Sequence, residues 1–410
     1  MAYLELGKEM TNFMTFKESL AYGFDSLVIF RRLLNDPVIS ALSRLCHIPD
    51  TDISSQLCCY SELVSALYEK TDCLTDYIAE LVLEHEQPCI VRAGASEDVP
   101  DVMRKALENE LAFLNNTATL PPDAFLRNTA PLALWNTRKI NLIDAYYKRE
   151  TDVDSRGYGI FAKYHMFTVN PSGEIIPVLH PDPVTFDQLV GYERERQTAC
   201  ENILALLDGN FSANVLLSGD AGTGKSATVK AIANTYRDRG LRLIELTKEQ
   251  LCHIPQIMDR LCKNPLKFIL FIDDLTFSED DPNFGTLKAT LEGSISARMK
   301  NTVIYATSNR RHLVKETFDD GSDKHENDTI QERISLSERF GITITFQKPQ
   351  KKLYLEIVQA LAKQAGLHME ENELSAKAEQ FALCKSGRSA RAARQLVDQL
   401  LSQQNTEKGV

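Results

Sequence analysis

Apolar residues recur at three- and four-residue intervals through "YSELVSALYEKTDCLTDYIAELVLE" and "MRKALENELAFLNN", the repeat that lays an apolar stripe along a helix. Residues 1–150 therefore read as mainly helical, with a Pro-Pro break in "TATLPPDAFLRN". The pattern changes near residue 151. "GIFAKYHMFTV" is aromatic and β-branched enough for a strand, "NPSG" is a turn, and "EIIPVLH" can pair back as a hairpin. "PDPV" then has the composition of a short linker. From "TFDQLVGYERERQTACENILALL" onward, helical segments alternate with the short apolar runs "NVLLSG", "LRLIEL", "KFILFIDD", "TVIYATSN" and "GITITF". That alternation predicts an α/β core, a parallel sheet with helices on both faces. After "QKPQ", helical segments near 350–365, 370–384 and 388–403 predict a small helical lid. The expected organisation is a helical region 1–150 suited to docking a partner, a hairpin and linker 151–183, an α/β core 184–348 and a lid 349–410.

Composition narrows the classes. A chain of 410 residues suits two or three domains, and 43% hydrophobic with 25% charged residues is ordinary for a water-soluble protein. A formal net charge of -11 argues against a surface that grips nucleic acid all over. No run of eighteen apolar residues predicts a membrane span, and "MAYLELGKEM" lacks a signal-peptide pattern, so a cytoplasmic location is expected. The nine cysteines are scattered without a CxxC pair. Cys46-His47 and Cys58-Cys59 lack the ligand spacing of zinc frameworks and read as ordinary core thiols.

The chemistry is concentrated in the α/β segment. "GDAGTGKS" places Gly219, then four residues, then Gly224-Lys225-Ser226, the P-loop pattern, after an apolar strand and before a helix. Glycines let backbone N–H groups curl around phosphate oxygens, and the following helix points its positive end at the same anion. Gly219, Ala221, Gly222, Thr223, Gly224, Lys225, Ser226 and Ala227 are the expected cradle, with Lys225 reaching the β- and γ-phosphates and Ser226 holding Mg²⁺. "KFILFIDDLTF" ends an apolar strand in two acids. Asp273 is expected to bind Mg²⁺ through water and Asp274 to face the γ-phosphate. "TVIYATSNRRHL" ends in Thr307, Ser308 and Asn309, and Asn309 is expected to orient the attacking water. Arg339 in "SLSERFGITITF" is suited to reach a neighbouring subunit's phosphate, and Arg391 in "SGRSARAARQL" to sense ATP from the lid, with Arg388 and Arg394 as its rivals.

These motifs together resemble the AAA-plus ATPases, and "HPDPVTFDQLVGYERE", "FIDDLTF", "YATSNRRHL", "LSERFG" and "GRSARAARQ" are similar to a bacterial AAA-plus family known as domain of unknown function 815. The resemblance covers roughly residues 155–405. It implies ATP and Mg²⁺ as ligands, and a ring or filament of subunits in which Arg339 acts in trans. It also implies that Val190-Gly191, with Tyr192, lies against adenine. Most AAA-plus proteins carry Asp-Glu where this chain carries Asp273-Asp274, and the shorter acid implies slow hydrolysis. "IELTKEQLCHIPQIMDRL" shows no aromatic–aliphatic–Gly loop, which disfavours a threading unfoldase.

The leading expectation is a slow, nucleotide-driven switch or remodeller of a protein partner. A second is an ATP-binding assembly scaffold with negligible hydrolysis, supported by Asp274. A third is a helicase-loader-like protein acting on DNA complexes, for which Arg310-Arg311, Arg237 and Arg239 offer some basic charge and the acidic total speaks against. A small-molecule P-loop kinase leaves Asn309, Arg339 and the lid arginines without a task. The acidic stretch "KETFDDGSDKHENDTIQER" reads either as a surface loop or as a partner contact that positions Arg339.

Overall fold

The computed structural model describes residues 15–125, 132–276, 282–292, 299–309, 338–385 and 387–408. The acidic stretch 315–333 and the pair Arg310-Arg311 lie outside the described residues. The chain divides into two compact units, Met1–Lys163 and Tyr164–Val410.

The first unit is helical: α1 Phe16–Asp25, α2 Pro37–His47, α3 Ile53–Tyr68, α4 Leu74–Glu84, α5 Pro88–Gly94, α6 Asp101–Ala118, α7 Leu142–Thr151, α8 Val153–Arg156 and α9 Ile160–Lys163. Local chemistry starts the helices. Thr15 and Glu18 form a reciprocal capping box on α1, and Asp36 accepts from the N–H groups of Val38 and Ile39 ahead of Pro37 at the first position of α2. The core gathers Phe24, Phe30, Leu42, Leu63, Leu67, Ile78, Leu107, Leu111 and Leu114. One acid is buried among them. Glu110 on α6 accepts the N–H groups of Val28, Ile29 and Phe30 at 2.8, 3.0 and 2.9 Å. Three charge-assisted bonds offset its desolvation and hold the irregular segment after α1 against α6.

The segment "GIFAKYHMFTV" does not form one strand. Ile160–Lys163 is a helical turn, and the strand is only Met166–Val169. Apolar and aromatic content marks burial, which this segment has in both halves, and only the last four residues find a pairing partner.

The second unit is an α/β core with a lid. Its strands are β1 Met166–Val169, β2 Ile175–Pro177, β3 Val215–Gly219, β4 Leu241–Leu246, β5 Lys267–Ile272, β6 Thr302–Ser308 and β7 Ile342–Phe346. They form one sheet in the order β2-β1-β4-β5-β6-β3-β7. Among the described residues only the β1–β2 pair is antiparallel. Its turn is organised by Asn170, whose side-chain oxygen accepts from the N–H groups of Ser172 and Glu174. The hairpin joins the sheet edge through β1, with Phe167 opposite Ile244 of β4. Alternate residues of the central strands are buried on both faces. Leu217, Leu243, Ile269, Phe271 and Tyr305 pack with α10 Glu193–Leu207 and α11 Lys225–Tyr236, while Leu216, Ile244, Leu270 and Ile304 are covered on the other side. Helices α12 Ile254–Leu261 and α13 Pro282–Glu292 complete the described core. The lid is α14 Lys351–Gln364, α15 Glu371–Cys384 and α16 Ala390–Lys408, closed around Tyr354, Ile357, Val358, Ala378, Ala393 and Val397.

β3 lies between β6 and β7: the chain passes from β3 to β4 on one side, whereas β7, on the other side, follows β6, so the strand order reverses at β3. A crevice outside the carboxyl ends of the strands is expected at such a switch point. No helix among the described residues is long and apolar enough to cross a membrane.

Candidate nucleotide site

A cavity of about 630 Å³ opens at that crevice, between the strand tips and the lid. The P-loop forms its floor. Gly219 ends β3 at a φ of 129°, opposite Phe346 of β7, where a Cβ atom would fall 2.0 Å from the Phe346 carbonyl oxygen. Only glycine fits. Gly219→Ala is expected to destabilise the full chain by at least ~2 kcal/mol, read as a lower urea midpoint. Gly222, at a φ of 75°, lies where a Cβ would come 3.0 Å from Cβ of Arg391, and its carbonyl accepts the Arg391 N–H at 3.1 Å. The loop is thus hydrogen-bonded to the first turn of α16.

Lys225 opens α11 and is buried. Its ammonium donates to the carbonyls of Gly219 and Asp220, both at 2.8 Å, and to Oδ1 of Asn309 at 3.0 Å. Burial pushes it below the ordinary lysine value, against the opposing pull of Asp220, Asp273 and Asp274. Next along the helix, Ser226 Oγ donates to Asp273 Oδ1 at 2.6 Å. This brings the P-loop hydroxyl and the first acid of β5 into contact.

The second acid is arranged differently. Asp274 has a φ of 53°, in the left-handed region. Its carboxylate accepts from Asn309 Nδ2 at 2.7 Å. Lys225, Asn309 and Asp274 therefore form one hydrogen-bonded chain across the tips of three strands. The tip of β6 supplies a further member. Thr307 Oγ1 donates to Asp273 Oδ1 at 2.6 Å and accepts the Asp274 N–H at 2.9 Å. Thr307 stands in the polar strand ending "TSN" two positions before Asn309, a sequence signal that does not by itself set Thr307 apart from its two polar neighbours.

Part of the remaining cavity wall is apolar. Val184, Leu189 and Val190 come from the segment before α10, and Ile357 and Leu361 from one face of α14. Arg196 of α10 also lines it, its side chain 12% exposed and 3.4 Å from Glu193. Gly191 and Tyr192 lie behind this wall instead of on it. A Cβ at Gly191 would touch Leu353 at 2.9 Å. Tyr192 stacks on Phe346 with ring centroids 5.3 Å apart and donates its hydroxyl to the Gln347 carbonyl at 2.6 Å. Burial pushes its phenol up to about 12. Ala221, Gly222, Thr223, Gly224, Ser226 and Ala227 all line the cavity.

The lid arginines separate. Arg391 and Arg394 line the cavity. Arg388 forks onto Glu379 at 2.9 and 2.7 Å, and that bond holds the Glu379 carboxyl below its ordinary range. Arg339 is at the opposite, amino-terminal end of the strands, because β7 runs parallel to β3 and Arg339 precedes its start. It lines a second cavity, of about 720 Å³, with Asn214, Thr302 and Gly341.

No curated protein matches the chain. Among solved structures, it is similar to the Thermotoga maritima RuvB Holliday junction branch migration motor, at 17% identity over 55% of this chain and 67% of that one, with a TM-score of 0.40. A variant of that Thermotoga maritima protein is similar at 18% identity over 55% and 68% of the two chains, with a TM-score of 0.39. The P-loop, the acid-tipped β5, the Asn309 strand and most of the lid fall inside residues 162–404, which match the family described as "Protein of unknown function (DUF815)"; the chain belongs to that family, on a P-loop α/β core.

Proposed function

We propose that this chain is an ATP-binding AAA-plus ATPase of slow turnover, working in the cytoplasm as a nucleotide-driven switch or remodeller of a protein partner. The observation that carries the reading is the chain Lys225–Asn309–Asp274 beside the contact of Ser226 with Asp273. An arriving triphosphate must draw Lys225 away from Asn309, so phosphate occupancy and the aim of Asn309 are mechanically linked. Asp274 and Asn309 hold the attacking water, and Val184, Leu189, Val190, Ile357 and Leu361 take the base. Ser226 and Asp273 are oxygen donors of the kind Mg²⁺ prefers, and are the residues that would hold it. Bound there, it supplies charge neutralisation at the β- and γ-phosphates.

Arg339 serves a neighbouring subunit. Its place at the end of the strands away from its own P-loop supports that role and a ring or filament of copies. The helical region 1–150 selects the partner, with 184–348 as motor core and 349–410 as lid. Phosphate release by the full chain, and its size by light scattering with and without ATP, test the reading. Turnover lost in Lys225→Ala together with an ATP-dependent change of assembly is the expected result, and an unchanged assembly would remove the switch.

A second reading, an ATP-held scaffold with negligible hydrolysis, draws on the engagement of Asp274 by Asn309. Measurable Lys225-dependent phosphate release excludes it.

Arg391 senses the nucleotide from the lid. Arg391→Ala is expected to weaken ATP binding by about tenfold, the loss of one charge-assisted contact. Arg388→Ala is expected to leave it within about twofold, because that guanidinium is already committed to Glu379. Titration with a fluorescent ATP analogue checks both.

A further inference from the structure

We propose that Thr307 is a positioning residue for hydrolysis at this site, fixing the two acids of β5 in different attitudes; the proposal rests on the ATPase reading above. Thr307 is the last residue but one of β6, the strand beside β5, where Ile272 pairs with Ala306. Three hydrogen bonds tie it to the turn that follows β5. Its hydroxyl donates to Asp273 Oδ1 at 2.6 Å and accepts the Asp274 N–H at 2.9 Å. Its carbonyl accepts the Leu275 N–H at 2.7 Å. A hydroxyl has one proton to give and two lone pairs to receive, so both side-chain bonds form at once. Thr307 is 2% exposed, which keeps water from standing in for it.

The effect falls chiefly on Asp274. A left-handed φ of 53° is uncommon outside glycine, and Asp is among the few residues that tolerate it. Such a conformation persists where the surroundings over-determine it. Here the amides on both sides of the Asp274 α-carbon, its own N–H and that of Leu275, end on Thr307. The result turns the carboxylate to Asn309 Nδ2. A side chain this short is aimed by its backbone, and Thr307 is what aims the backbone. Asp273 is less dependent, because Ser226 Oγ gives it a second hydroxyl donor.

The reaction served is attack of a water oxygen on the γ-phosphorus. The bond from that phosphorus to the bridging oxygen breaks, ADP leaves with the electron pair, and the water's proton passes to the Asp274 carboxylate.

Thr307→Val keeps the branched shape and removes the hydroxyl, and Thr307→Ser keeps the hydroxyl. In the full chain, Thr307→Val is expected to lower kcat for phosphate release by ~10- to 100-fold, the scale of a misplaced reacting group. KM and the Kd for a fluorescent ATP analogue with Mg²⁺ should stay close to wild type, and the melting temperature should fall by a few degrees while the transition stays cooperative, because the Asp274 N–H loses its acceptor. Thr307→Ser should restore kcat to within about threefold of wild type. Thr307→Ala replaces the valine variant should that one lose its melting transition. Wild-type kcat in Thr307→Val, an equal loss in Thr307→Ser, or loss of Mg²⁺-dependent nucleotide binding alongside turnover would each overturn the role of Thr307 alone. A wild-type chain without Lys225-dependent phosphate release overturns the hydrolytic reading itself, and the role of Thr307 with it.

Discussion

Lys225→Ala is expected to weaken nucleotide binding by about 100-fold or more and to abolish phosphate release. Removing one side of a buried, charge-assisted contact costs ~2–5 kcal/mol, and ~2.7 kcal/mol is already a factor of 100. Lys225 qualifies on both counts, being buried and supplying a full positive charge at the mouth of the P-loop helix. The variant loses more than a phosphate partner. In the free protein the same ammonium bridges the carbonyls of Gly219 and Asp220 to Asn309, so its removal also releases Asn309. Lys225→Arg keeps the charge but carries a planar fork too large for that bridge, and is expected to recover only part of the affinity. A pH series adds an independent check. Burial holds the free-state pKa of Lys225 below the ordinary lysine value. Only the charged form pairs with phosphate, so binding must supply a proton once pH exceeds that lowered pKa. Affinity should then fall by up to about tenfold per pH unit, beginning earlier than an ordinary lysine near 10.4 would dictate. A fluorescent ATP analogue titrated against the wild-type chain measures the fall, and Lys225→Ala should not show it.

The sequence carried those parts of the fold and site that are local. β4 matches the segment "LRLIEL" residue for residue, and β3, β5, β6 and β7 fall within two residues of theirs, because strands in a sheet covered on both faces are short runs of mostly apolar and β-branched residues. The P-loop is a contiguous motif, and Asp273 ends the next such run but one, so both could be read without a partner in view. What stayed hidden is what needs two segments at once. Val184, Leu189, Ile357 and Leu361 each read as ordinary core, and they become a cavity wall only when the lid meets the segment before α10. Arg388, Arg391 and Arg394 share a three-residue spacing that does not distinguish them. Their difference lies in Glu379, a residue on the preceding helix. The left-handed turns at Tyr192 and Asp274 were also invisible, since neither residue announces a positive φ as glycine does. Thr307 joins this group. Its hydroxyl looked like one of three polar atoms at a strand end, and its use depends on which strand lies next to it.

Asp274→Asn is expected to lower turnover by ~100-fold or more, the scale of a lost general base, while leaving nucleotide affinity within a few-fold of wild type. The substitution preserves shape. Asn keeps an oxygen to accept from Asn309 Nδ2, keeps the backbone N–H for Thr307, and tolerates the left-handed conformation as well as Asp does. What disappears is the capacity to take a proton. Loss of ATP binding in this variant would place Asp274 among the ligand contacts and sink its catalytic assignment. Asp274→Glu then separates two accounts of slow turnover. If reach alone limits the rate, the added methylene should speed phosphate release. The geometry argues the other way. At a φ of 53°, with the amides at 274 and 275 both held by Thr307, the side chain leaves the backbone in a fixed direction. A longer acid then extends past the Asn309 amide that Asp274 meets at 2.7 Å, and Glu is less at ease in that conformation than Asp. The Glu variant should therefore hydrolyse ATP more slowly than wild type. A faster Glu variant would show that this site is limited by the length of its acid and not by its aim.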